Sequence, residues 1–181
     1  TPPPKAGHRI DLRDMLFLDA WAQFKSVSFT VFMICSFLVC IPLAAYYASL
    51  QQQMLAMGMD HITAWKNVGT FFEAGMMFAM PWFFRKLGIK YVLAIGILAW
   101  VLRYICFALG ASTSTTATVL VILGIALHGI CYDFFFVSGQ VYVDQSTPPQ
   151  VRGQCQGMNI FFTQGIGMVI GNMFAQKLER R

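Results

Sequence analysis

Residues 28–50 read SFTVFMICSFLVCIPLAAYYASL, 23 positions without one charged side chain. An α-helix needs about 20 mostly apolar residues to cross roughly 30 Å of hydrocarbon at 1.5 Å per residue. A run of this kind offers no polar face to water, so it reads as a membrane span. Working outward, four more stretches qualify, near 64–84, 91–109, 117–143 and 154–176. The pieces between them are short and polar or turn-rich: Gln51 to His61, Arg85 to Lys90, Gly110 to Thr116, and Asp144 to Gly153 with Pro148 and Pro149. None is long enough to fold as a soluble domain. The expected organisation is an all-α integral membrane bundle over residues 28–176, preceded by a linker at 1–27 and followed by a tail at 177–181.

The composition of the whole chain agrees. Of 181 residues, 57% are hydrophobic and 12% charged, whereas a soluble globular domain carries about 25% charged residues to wet its surface. A disordered tail, a coiled coil and a nucleic-acid-binding module all need more charge and are excluded on that ground. The five cysteines, Cys35, Cys40, Cys106, Cys131 and Cys155, are odd in number, lie in apolar stretches and form no Cys-x-x-Cys pair. They read as free buried thiols, not as a disulfide framework or a metal site, and no cofactor is expected. The chain begins at Thr1, without Met or a signal-peptide layout, and is expected to be part of something longer.

Ahead of the first span, Asp11 to Val27 intersperses Leu12, Met15, Leu16, Ala22 and Phe24 with Asp14, Asp19, Gln23 and Lys25. This suits a helix on the membrane surface with Trp21 at headgroup depth. Orientation follows from the cations. With alternating loops, one side receives Lys5, Arg9, Arg13, Lys25, Arg85, Lys86, Lys90 and Arg152, and the other only Lys66 and the final Lys177 to Arg181. The positive-inside rule then puts the N-terminal end and the 85–90 loop in the cytoplasm. The basic tail falls on the wrong side, a mismatch that a further helix or a cut inside a loop explains.

Five ionisable groups remain at or within the apolar stretches: Glu73, Arg103, His128, Asp133 and the boundary residue Asp144. An acid at helix centre costs about 2.5 to 3.5 kcal/mol on insertion scales, so such residues face a bundle interior or a wet cavity. Counted from the cytoplasmic ends, Glu73 and Asp133 both lie about 15 Å deep at 1.5 Å per residue. Two carboxyl groups thus share the midplane. Burial disfavours the charged form of a carboxyl, which suits a proton carrier. Arg103 lies about 10 Å from the outer end and is expected to pair with a carboxylate or to snorkel outward. The spacings Gly153-x-x-x-Gly157 and Gly167-x-x-x-Gly171 let helix backbones approach closely, and Pro42 and Pro81 are expected to bend their helices.

The run CYDFFFVSGQVYVDQSTPPQVRGQCQGM, from Cys131 to Met158, resembles the nucleoside:H+ symporter family of the major facilitator superfamily. The stretch FRKLGIKYVLAIGILAWVLRYICFALG, from Phe84 to Gly110, looks like the same family's loop and following helix, and Glu73 matches its buried acid. The resemblance runs from about Leu16 onward. It implies a C-terminal half-bundle, helices 7 to 11 of twelve, with the N-terminal half and the final helix as missing partners. It further implies proton-coupled symport of nucleosides across the bacterial cytoplasmic membrane, with nucleoside, protons and the lipid bilayer as partners and no nucleic acid. In such transporters substrate binds between the halves near the midplane. Glu73 and Asp133 would then serve proton coupling and substrate. Tyr46, Tyr47, Thr70, His128 and Phe136 would line the substrate site, and Arg103, Asp144 and Arg152 would be structural charges. Where relatives carry amides on helices 7 and 8, this chain has Ala44, Tyr47 and Thr70, and His128 stands where an aromatic hydroxyl is common. A transporter of another small polar solute such as a sugar, or a non-transporting receptor or scaffold, is the alternative. Tyr132-Asp133 also resembles the Tyr-Asp of intramembrane aspartyl proteases, but the Gly-x-Gly-Asp those enzymes place on the next helix does not occur here.

Overall fold

The computed structural model describes residues 16–179. Five long helices carry the described residues, and each of the five apolar stretches lies within one of them. Helix α1 is Val27–Ala56. The next helical run, Ile62–Leu109, is 48 residues long, about 72 Å at 1.5 Å per residue and more than twice a bilayer core. It is broken at Gly88, whose φ of 75° and ψ of 161° are not helical. Only glycine adopts that backbone without strain. The break divides the run into α2, residues 62–87, and α3, residues 89–109. Helix α4 is Thr115–Ser146. Ser114 caps it, its hydroxyl oxygen accepting from the Ala117 amide at 3.2 Å. Thr147, obliged by Pro148 to leave the helical region, ends it in an extended conformation. Helix α5 covers residues 152–179.

Two of these helices are locally underwound. Asp133–Val137 in α4 and Phe161–Gly167 in α5 take π geometry, in which each amide reaches five residues back. In α4 the Asp133 carbonyl also accepts from the Ser138 hydroxyl at 3.0 Å.

Glycines set the packing. A Cβ on Gly171 would lie 2.6 Å from Ala44 Cβ and 2.9 Å from the Ile41 carbonyl, and one on Gly167 would lie 2.9 Å from Cys40 Cβ. These close approaches seat α5 on α1. The other spacing does not work this way, since Gly153 has open space around it and Gly157 meets the Phe17 ring. Helix α4 is the centre of the bundle, in backbone contact with α3 at Gly96 and with α2 at Gly129.

Of the expected surface helix, residues 11–15 lie outside the described residues. The rest is a turn followed by the 3-10 helix Ala20–Lys25, and it docks on the bundle. Ala20 is fully buried, and Trp21 sets its edge against Phe162 with centroids 6.0 Å apart.

Large apolar side chains face outward along the helices, with Phe71 80% and Phe78 89% exposed on α2. In water such a surface would drive association, and in lipid it is the surface required. All five cysteines are free, with Cys40, Cys131 and Cys155 buried and Cys35 and Cys106 half-buried.

Candidate functional site

The site begins with two glycines that let α2 and α4 touch. A Cβ on Gly129 would lie 2.6 Å from the Glu73 amide nitrogen and from the Phe72 carbonyl carbon. One on Gly69 would lie 3.0 Å from the Ile125 carbonyl and 3.3 Å from His128 Cβ. No larger residue fits at Gly129 and an added Cβ at Gly69 would be tight, and the approach brings Glu73 beside His128, with Oε2 3.9 Å from Nε2.

The other imidazole nitrogen is taken by α3. Arg103 Nη1 stands 2.9 Å from His128 Nδ1. A guanidinium only donates, so Nδ1 accepts, and the single proton of the ring sits on Nε2, facing Glu73. Arg103 is completely buried. Its guanidinium carbon lies 3.6 Å from the Tyr46 ring centroid and 5.2 Å from that of Trp100, contacts worth about 2 kcal/mol when desolvated. It therefore neither snorkels outward nor meets a carboxylate among the described residues, in contrast to both expectations. Nε and Nη2 have no hydrogen-bond acceptor. The charge is held by π faces and one imidazole.

Asp133 occupies the first position of the π segment of α4 and is 0% exposed, with neither carboxylate oxygen hydrogen-bonded. An unpaired buried charge is among the most costly groups a bundle can hold. From the helix ends observed, Glu73 lies 14 residues from Leu87 and Asp133 13 from Ser146, which keeps the two acids at matched depth, about 20 Å along their helices.

The remaining expected residues divide into four groups. Tyr46 is buried and stacks on His128 with centroids 5.5 Å apart. Tyr47 is 48% exposed, with its ring edge-on to His128, and Thr70 is exposed one turn before Glu73; these two stand on the open side. Phe136 is buried among Trp100, Tyr132 and Phe135, which makes it a wall behind the site and not an open platform. Asp144 and Arg152 are apart from all of these, Nε lying 3.2 Å from Oδ1. They form a half-exposed ion pair that ties the end of α4 to the start of α5 across the Pro148-Pro149 turn.

Two residues of this site were not among the expected substrate-site residues. Tyr132, between His128 and Phe136, packs on both rings, with centroids 5.6 and 5.2 Å away. The exposed Gln164, on the π segment of α5, lies beside the Tyr132 side chain. An amide thus reaches the open face from α5, although α1 and α2 supply none at the matching positions. Its place in the last apolar stretch was the available signal, because an amide inside a span needs a partner. The arrangement is a polar and aromatic face, Tyr47, Thr70, Glu73, Tyr132 and Gln164, in front of a buried layer of Arg103, His128 and Asp133. Such a face can hydrogen-bond and stack on a small polar solute and can hold or release a proton. Among the described residues no three metal-ligating side chains converge.

The comparisons with known proteins agree with this reading. The family model described as nucleoside H+ symporter matches residues 1–181. YegT of Escherichia coli K12 is 38% identical over 169 residues, covering 93% of this chain and 40% of YegT. The nucleoside permease NupG of the same organism is 31% identical over 174 residues, 91% of this chain and 41% of NupG. A crystal structure of a mutant of the nucleoside transporter NupG superposes with a TM-score of 0.81 at 28% identity, covering 94% of this chain and 44% of that one. The chain spans about two fifths of the length of these relatives, and its fold is a half-bundle of the major facilitator type. The matched family and relatives are transporters, which sets the protease resemblance aside. Matched from end to end by the family model, the chain belongs to the nucleoside H+ symporter family.

Proposed function

We propose that this chain supplies the C-terminal half-bundle, helices 7 to 11, of a proton-coupled transporter that carries nucleosides across a bacterial cytoplasmic membrane. The observation that carries the reading is a pair of carboxyl groups in an apolar bundle, one on a polar, aromatic face and one buried behind it. Glu73 is partly open beside His128, and Asp133 is buried without a partner. A fold of this class binds solute between two halves and alternates access by rocking one against the other. The face bearing Tyr47, Thr70, Glu73, Tyr132 and Gln164 is then the wall turned to the opposite half. Ring and amide contacts suit a base and a ribose. The basic 85–90 loop and Arg152 lie at the cytoplasmic ends by the positive-inside rule.

The test is counterflow in proteoliposomes. The full-length protein containing this chain, loaded with unlabelled uridine, should accumulate labelled uridine transiently above equilibrium. Excess unlabelled adenosine outside should suppress the signal, and excess glucose should leave it. Suppression by glucose and not by nucleosides would replace the proposed substrate class with sugars, and no counterflow with either would remove transport.

A further inference from the structure

His128 is contacted from every helix that surrounds it, and the contacts leave it one orientation. From α1 come the Tyr46 face and the Tyr47 edge, from α2 the Glu73 carboxylate, from α3 the Arg103 guanidinium, and from its own helix Tyr132. Gly69 presses on its Cβ. Other ionisable groups facing this layer are Asp133 and Cys131 on α4, Tyr104 on α3 and Cys40 on α1. The ring cannot turn to exchange its nitrogens. Nδ1 has one lone pair, which Arg103 occupies, so a proton entering the site finds no place on the imidazole unless that bond breaks.

The separation from Glu73 is as informative as the bond to Arg103. An arginine and a carboxylate in direct contact form short charge-assisted bonds, and breaking such a pair when buried is strongly destabilising. A carboxylate held that way stays ionised. Here the imidazole stands between the two charges, and the Nε2 to Oε2 distance of 3.9 Å exceeds a hydrogen bond. Glu73 faces a donor and, behind it, a guanidinium, but is bound to neither.

We propose that His128 is a positioning residue that relays the charge of Arg103 to Glu73 while keeping the two from pairing, leaving Glu73 free to exchange a proton. The inference rests on the proposed transport activity and deepens it. The polar link between the two charges is one nitrogen-to-nitrogen path, so a residue with an acceptor and a donor at that spacing should replace it. One without either should not.

The experiment measures uridine uptake against external pH in proteoliposomes of the full-length protein, for wild type, His128→Gln and His128→Phe. Gln offers a carbonyl to Arg103 and an amide N–H to Glu73, and Phe keeps the stacking on Tyr46 but has no polar atom. The expected result is a wild-type pH profile in His128→Gln and a profile moved about one unit to higher pH in His128→Phe, because the carboxylate loses its relayed cation. A profile unmoved in His128→Phe, or moved equally in both variants, overturns the proposal. If wild type itself shows no uridine counterflow, it is the transport reading that fails. Should His128→Phe not fold, ¹⁵N spectra of histidine-labelled wild type, with His128→Gln to assign the signal, decide the matter. A bare Nδ1 and protonated Nε2 between pH 6 and 8 support the relay, and a doubly protonated ring overturns it.

Discussion

Arg103 is the most demanding single residue in the bundle. It is fully buried and always charged, yet it is held by one imidazole nitrogen and the faces of Tyr46 and Trp100, with Nε and Nη2 left without acceptors. This explains why Arg and not Lys suits the position. A planar guanidinium can lie flat on a ring while one of its edges donates to a neighbour, and an ammonium is a compact, strongly hydrated point charge. Arg103→Lys should therefore lower stability by about 1 to 3 kcal/mol, read as an earlier thermal transition in detergent. Residue counting locates this charge along its helix but does not identify its partner. Counting residues fixes a level along the bilayer normal and says nothing of direction around the helix. His128 and Arg103 lie at similar depth, and the choice between His128 and a carboxylate was made by the crossing of α3 and α4, which no local pattern records.

At the scale of elements, length and apolarity were enough to mark five helices, because a crossing segment must close its own backbone hydrogen bonds and shed its charge. The turn between α2 and α3 was legible too, as Arg85, Lys86 and Lys90 around Gly88. The π segments were not. Asp133–Val137 and Phe161–Gly167 differ from ordinary helix by one residue of register, and their residue types are compatible with either. The glycine spacings were legible only in part, since Gly167 and Gly171 meet α1 and Gly153 meets nothing. The contact that matters most, Gly129 against the Glu73 backbone, belongs to no recognised spacing. It yields a paired prediction. Gly129→Leu should drive α2 from α4 and cost about 1 to 3 kcal/mol or more, with loss of uridine uptake. Gly75→Leu, on the same α2 but with nothing within 4 Å of its added Cβ, should leave both unchanged. Thermal melting and uptake of the two variants side by side check it.

Over the whole molecule, the exposed side chains form two kinds of surface. Phe71, Phe78 and their neighbours make an apolar surface fit for lipid, and Tyr47, Thr70, Tyr132 and Gln164 make a polar one in front of two acids. In the proposed transporter the second surface is closed by an opposing half, and movement of one half against the other exposes it to each side in turn. Proton coupling then requires that nucleoside and proton cross together and that the acids carry the proton. The most direct measurement loads proteoliposomes of the full-length protein with a pH-sensitive dye and adds uridine outside, with membrane potential clamped and no imposed pH gradient. The account predicts acidification of the lumen in wild type, and none in Glu73→Gln or Asp133→Asn although both variants insert into the membrane. Acidification at the wild-type rate in both variants, or uridine entry in wild type without any proton movement, would contradict it.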